Sequence, residues 1–305
     1  MKRMVLPLIC ALLLCACSAQ NAETSAVSDA IQYRSTVVYY ADENGLVVPV
    51  VRDIPWEEGI GKAALNLLTR TDANVSAAAS MGLSPTLPKD ATFSLSIADD
   101  GTATASVFNL DGFESASEER IAVTSIVNTL TEFASIDRVR ILPEGEEAKA
   151  LEFGTDVSGA IETVALNPEA VSASAGGGEQ SGVTLYFPNY ESTLDVPVTR
   201  MVEGEATLEK AVAELVKGPT QIDALRSCFP EDTGLISVTV EKGVALIDLS
   251  EEAEELKEHP LLEQRAMECA ALVCREFGVP AVSFTIEGKE YGGMPVSAPM
   301  YANER

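Results

Sequence analysis

The sequence predicts an α+β protein made of two tandem copies of a small mixed sheet, each packed by two helices. Three observations predict it. The chain repeats itself: Val37-Val38-Tyr39-Tyr40 followed by Val48-Pro49-Val50-Val51-Arg52 returns as Thr184-Leu185-Tyr186-Phe187 followed by Val196-Pro197-Val198-Thr199-Arg200. Runs of β-branched and aromatic residues are bounded by turn formers, the pattern of strands. Between them lie apolar stripes at helical spacing. The order strand, strand, helix, hairpin, helix, strand occurs twice, which sets the number of units.

In copy one, Thr36 to Tyr40 reads as a strand, and Asp42-Glu43-Asn44-Gly45 as a turn whose residues tolerate positive φ. Leu46 to Arg52 pairs back on it as a hairpin. Ile60 to Arg70 carries Ala63, Ala64, Leu67 and Leu68 on one helical stripe. After a loop through Leu87-Pro88-Lys89-Asp90, alternating Phe93, Leu95, Ile97 and then Ala103, Ala105, Val107 predict a second hairpin with one buried face. Glu118 to Phe133 reads as the long helix and Val139 to Leu142 as the closing strand. Copy two follows suit: strands Val183–Phe187 and Leu194–Arg200, a helix Leu208–Lys217 stopped by Gly218-Pro219, a hairpin Leu235–Leu249, a helix Leu261–Phe277 and a strand Val282–Ile286. Ala211 and Leu215 are matched to Ala63 and Leu67, and Lys210 to Lys62. The spacing between copies is 148 at Pro49 and Pro197 and 142 at Pro88 and Pro230, so the loop after the first helix is longer in copy one.

The expected organisation is a signal segment over 1–17, a tether over 18–32, a first domain over 33–164, a flexible linker over 165–181 containing Gly176-Gly177-Gly178, and a second domain over 182–305. Lys2-Arg3, the apolar stretch Val5 to Leu14 and Leu14-Cys15-Ala16-Cys17 form the pattern of a bacterial lipoprotein signal, with Cys17 as the lipidated residue. The expected location is the extracytoplasmic face of a cell membrane, held by the lipid. One acyl chain binds weakly, so a second contact from a partner is expected.

With 21 Lys+Arg against 47 Asp+Glu the formal net charge is −26. That excludes a nucleic-acid binder, whose phosphates need cations, and docking across anionic lipid. If Cys10, Cys15 and Cys17 go to the signal and the lipid, Cys228, Cys269 and Cys274 remain. Their spacing does not suit a metal site, and they read as buried small apolar residues, with a disulfide from Cys228 to either of the others left open.

The run Val183-Thr184-Leu185-Tyr186-Phe187-Pro188, the Val196-Pro197-Val198-Thr199-Arg200 strand, the helix stop Lys217-Gly218-Pro219-Thr220 and the strand end Asp248-Leu249-Ser250 together resemble the GerMN domain, the repeated module of GerM-type sporulation and germination lipoproteins. Copy one departs from it, with Leu68-Thr69-Arg70-Thr71 at the helix stop and Val107-Phe108-Asn109 at the strand end. The resemblance implies a fold similar to ring-building motifs of secretion systems, a lipoprotein of spore-forming bacteria, and envelope or sporulation proteins as partners. A related module in a lipoprotein that works with a sensor kinase widens the setting.

His259 is the chain's one histidine and has no counterpart in copy one, so it reads as a surface or capping residue rather than part of a catalytic relay. Asp90 and Asp232, each two after a proline, are expected to hold turns through their side chains. Glu251 to Glu255 lacks the oxygen spacing of a calcium loop. Trp56 is a lone aromatic. Of Tyr186 and Phe187, alternation predicts one in the core and one exposed. The candidate interaction residues are Arg52 and Arg200 after the Val-Pro-Val strands, with Lys62 and Lys210 in the helices; salt bridges within each domain are the competing role. The expected activity is non-enzymatic, without cofactor or metal: a scaffold or assembly factor in sporulation or germination, with homo-oligomerisation left open. The alternative is an extracytoplasmic binder of a wall polymer, a small solute or a sensor-kinase partner.

Overall fold

The computed structural model describes residues 32–56, 59–169 and 179–304. Cys17, the signal segment and Gly176 to Gly178 lie outside the described residues. Module one opens with β1 (Tyr33–Asp42) and β2 (Val47–Pro55), paired antiparallel with Tyr39 opposite Pro49. The turn is closed by Asp42, whose carboxylate accepts from the Asn44 and Leu46 N–H groups, while Gly45 takes φ 75°. Then come α1 (Ile60–Leu67), α2 (Asp72–Ala79) and the short β3 (Leu83–Ser84). β4 (Thr92–Ile97) and β5 (Thr102–Phe108) form the second hairpin. α3 (Ala116–Thr131) carries the chain over to β6 (Arg138–Pro143), parallel to β5, and β7 (Ala160–Ile161) closes that sheet.

Module two repeats the plan. β8 (Gln180–Pro188) and β9 (Asp195–Glu203) pair with Tyr186 opposite Pro197. α4 (Leu208–Val216) leads to β10 (Leu235–Glu241) and β11 (Val244–Leu249). A 3-10 helix (Glu251–Glu258) and α5 (Pro260–Glu276) cross to β12 (Ala281–Ile286), parallel to β11. β13 (Lys289–Glu290) and β14 (Val296–Ser297) pair with β12. Parallel neighbours need a long crossover, and in both modules the long helix supplies it.

Three expectations change. The extra length of copy one is α2: Thr71 caps it by accepting from Asn74 N–H. Its Ala-rich sequence has no apolar stripe, so periodicity does not reveal it. The helix register also shifts by one. The buried residues are Ala64, Leu65 and Leu68 in the first copy and Ala211, Val212 and Leu215 in the second. That is a spacing of 147, which sets Lys62 against Glu209 and Lys210 against Ala63. Finally, Tyr186 and Phe187 are both buried. Alternation does send them to opposite faces, but neither face meets solvent.

The reason is that both hairpins are covered on two sides. Val38, Tyr40, Val48 and Val50 point into the core of module one, and Leu185, Phe187, Val196 and Val198 into that of module two. Val37, Tyr39 and Val47 point the other way and pack with Leu166 and Tyr301. β2 packs against β9, so the hairpins meet along a seam. The outer edge of β1 lies along α3, where Tyr39 N–H donates to Thr129 Oγ1 at 3.2 Å, which protects an edge otherwise open to pairing.

Candidate functional site

The seam is where the two copies place matching polar groups, and it is built by the chain leaving each module. Asn167, just past module one, has φ 43°; Asn303, near the end of module two, has φ 57°, a region asparagine tolerates. Asn167 Oδ1 accepts from Val47 N–H at 2.7 Å, and its Nδ2 donates to Val47 O and, across the seam, to Pro197 O, both at 2.8 Å. Asn303 does the same with the copies exchanged. It accepts from Asp195 N–H at 2.8 Å and donates to Asp195 O at 2.9 Å and to Pro49 O at 3.0 Å. Val47 and Asp195, like Pro49 and Pro197, are repeat equivalents. Each module's tail thus clips the start of its own second strand to the other module's, with a pseudo-two-fold relation.

On one side of the clips lies a cleft of about 580 Å³ that contains a second duplicated pair. Tyr39 O–H donates to Glu132 at 2.6 Å and Tyr186 O–H donates to Glu276 at 2.8 Å. Burial, then the neighbouring carboxylate, pushes both phenols up from their ordinary value, so they remain protonated donors. They lock the C-terminal ends of α3 and α5 to the hairpins. On the other side is a cleft of about 610 Å³ between the β1–β2 turn and the β8–β9 loop, lined by Asp42, Glu43, Asn44, Asn189, Tyr190 and Glu191 among others. Tyr190 is exposed, with the Arg226 guanidinium 4.0 Å over its ring.

The duplicated Glu-Phe at 132–133 and 276–277, and Tyr39 against Tyr186, were visible in the repeat as a signal. Asn167 and Asn303 were not, because they fall outside the matched segments.

The four basic candidates do not form one site. Arg200 is buried. Its Nε donates to Glu169 Oε2 at 2.5 Å, Nη1 to Glu214 Oε2 at 3.2 Å and to Glu214 O at 2.8 Å, and Nη2 to Gly218 O at 2.8 Å. Glu169 belongs to the expected linker, yet it is buried and also accepts from Thr220 N–H at 2.9 Å. Leu166 is bonded to Thr199 through both its backbone groups. This start of the expected linker is therefore built into module two. Arg52, at the place of Arg200, is half-buried and, among the described residues, reaches the Met81 sulfur at 4.0 Å. Lys210 donates to the carbonyls of Glu203 and Glu205 at 2.6 and 2.8 Å, closing the loop before α4. Lys62 is exposed beside Arg34, in a groove that also contains Phe133 and Ile97.

Of the other candidates, His259 is on the surface, 3.6 Å from Glu255. The turns at Asp90 and Asp232 are held instead by backbone bonds to Pro88 O and Pro230 O and by the Thr233 hydroxyl. Glu251, Glu252, Glu254 and Glu255 are exposed on the 3-10 helix. Trp56 is 62% exposed under the Arg34 guanidinium. Among the described residues there is no group of three His, Cys, Asp or Glu able to hold a metal ion, and no helix long and apolar enough to cross a membrane.

Two buried carboxylates tie the modules to pH. Burial opposes ionisation of Glu119, but bonds from the Phe153 and Thr155 N–H groups outweigh it. For Glu169 burial is likewise outweighed, by Arg200 and Thr220. Both carboxyls lie below the ordinary range, so their stabilisation is complete above the unfolded value of about 4.3 and is lost as pH falls through the folded values. Urea midpoints are expected to hold between pH 7 and 5 and to drop below pH 4. The drop should be smaller in E119Q, measured against that variant's own value at pH 7.

Comparison with known proteins agrees with this architecture. The family model Germane, described as sporulation and spore germination, matches residues 37–149 and 184–292, one stretch in each module. Spore germination protein GerM of Bacillus subtilis (strain 168) is 32% identical over 234 residues, 71% of this chain and 61% of that protein, so the chain spans about three-fifths of that relative's length. The solved structure of the tandem GerMN domains of the sporulation protein GerM from Bacillus subtilis superposes with a TM-score of 0.71 at 27% identity, over 90% of this chain and 99% of that one. The chain belongs to the Germane family of sporulation and spore germination proteins, with the family's module present twice.

Proposed function

We propose that the protein is a non-enzymatic scaffold or assembly factor of sporulation or germination, anchored by lipid on Cys17 at the extracytoplasmic face of the membrane. The observation that carries this reading is that the two modules are clipped into one body whose sheets end in open strands. Among the described residues β4 pairs with β5 alone and β10 with β11 alone. Ile97, Ile236 and Val240 on these strands are about half exposed. Unpaired N–H and C=O groups beside exposed apolar side chains offer a template for strand addition by a neighbouring protein. The duplicated polar groups at the seam are spent on holding the modules together, which suits a structural part.

A photocrosslinker placed at Ile97 or Val240 in sporulating cells of the source organism should capture envelope proteins, and one at Val75 on α2 should not. No adduct from either strand, with a strictly monomeric chain, would contradict the scaffold. Cys17→Ala should release the chain from the membrane fraction and abolish labelling by palmitate. The roughly 610 Å³ cleft beside Tyr190 supports a second reading, binding of a wall polymer or small solute. Thermal stabilisation by glycan fragments would favour that one.

A further inference from the structure

Cys228 and Cys269 are fully buried and lie together in module two. Both belong to one packed core, where Cys269, on α5, neighbours Cys228 in the segment before β10. The Cys228 thiol donates to Tyr186 O on β8 at 3.7 Å. Cys274 is buried further along α5. The duplication sharpens the comparison. By the spacing of Pro88 to Pro230, Cys228 corresponds to Thr86; by that of Glu132 to Glu276, Cys269 corresponds to Ser125. Thr86 and Ser125 are also buried, and their hydroxyls have no partner among the described residues. The same two interior positions thus hold small polar atoms in both copies, and only copy two has sulfur, which can be joined. A cleft of about 590 Å³ is lined by their chain neighbours Ser227 and Glu268 together with Arg265 and Leu262.

We propose that Cys228 and Cys269 form an intramolecular disulfide tying the segment before β10 to α5, while Cys274 stays a thiol. The oxidant is a disulfide, borne by a small thiol compound or a thiol–disulfide oxidoreductase. One cysteine thiolate attacks it, forming a mixed disulfide and releasing one thiolate. The second cysteine thiolate then displaces the other carrier sulfur. The cysteine sulfurs lose two electrons, the carrier disulfide gains them, and the two thiol protons pass to the released carrier thiolates. The neighbouring Cys228, with burial, pushes the Cys269 thiol up, so the closed fold does not present a thiolate. Exchange therefore belongs to the folding or transiently opened chain. The bond closes a loop of roughly forty residues, long enough to stabilise chiefly by restricting the unfolded chain.

In cells the bond rests on the extracytoplasmic location, since the cytosol keeps thiols reduced; in vitro it does not. The full-length chain is refolded with oxidised and reduced glutathione, alkylated and digested. The expected result is a linked pair of peptides carrying Cys228 and Cys269, an alkylated Cys274, and a Tm that falls by several degrees on reduction. C269S should abolish the link and the Tm response, and C274A should keep both. Alkylation of all of Cys228, Cys269 and Cys274, or a link through Cys274, would overturn the proposal. A link in vitro with three free thiols on alkylation of whole cells would support the pair and contradict the location.

Discussion

Arg200→Ala is expected to destabilise the protein by about 3–5 kcal/mol, because it leaves Glu169 buried without its cation. Arg200 and Glu169 have side chains only 8% and 2% exposed, so water cannot replace either partner without opening the structure. The loss extends further, since the guanidinium also satisfies the carbonyls of Glu214 and Gly218 at the end of α4. At this chain length the thermal midpoint should drop by roughly 10 °C. Arg52→Ala, at the equivalent position, should cost less than about 1 kcal/mol, because Arg52 is half-buried and among the described residues reaches no carboxylate. The asymmetry has a structural source. Arg200 has Glu169 and Glu214 beside it, and among the described residues no carboxylate is recorded beside Arg52. E169Q in the Arg200→Met background should recover part of the loss, since it removes the orphaned charge. Urea denaturation of the four variants measures all of this. Equal effects at Arg52 and Arg200 would contradict it.

The second large effect is expected at the clips. Asn167→Ala removes the bonds to Val47 N–H, Val47 O and Pro197 O, and Asn303→Ala removes those to Asp195 N–H, Asp195 O and Pro49 O. An unsatisfied buried backbone group costs about 1–3 kcal/mol, and a water entering at the seam recovers part of it. Each variant should therefore lose about 2–4 kcal/mol. The double variant should do more than add the two, since both polar clips of the seam are then open. Hydrogen exchange is the check: in the double variant the amides of β2 and β9 should lose protection while those of β5 and β11, remote from the seam, keep theirs. Uniform loss across both modules would show a general effect on folding instead.

Most of each module was legible in the sequence. The hairpins were, because one residue in two is buried toward a core and β-branched runs mark them. The long helices were, because their stripes are wide. What escaped has physical reasons. α2 is nearly all alanine and small polar residues, and its one sign was Thr71-Asp72-Ala73-Asn74, a capping sequence. The register of α1 against α4 slipped by one residue because Ala63 and Ala64 look alike in sequence, and only burial distinguishes them. The seam escaped because its contacts are between segments more than a hundred residues apart: Val47 with Asn167, Pro49 with Asn303. No local period encodes such a contact.

That seam makes one cooperative body of two copies, with a contiguous core running through both. Calorimetric unfolding of the unmodified full-length chain tests this most directly. A single transition whose calorimetric and van't Hoff enthalpies agree is the predicted result. Two resolved transitions, or a calorimetric enthalpy near twice the van't Hoff value, would show that the modules unfold independently and would contradict it.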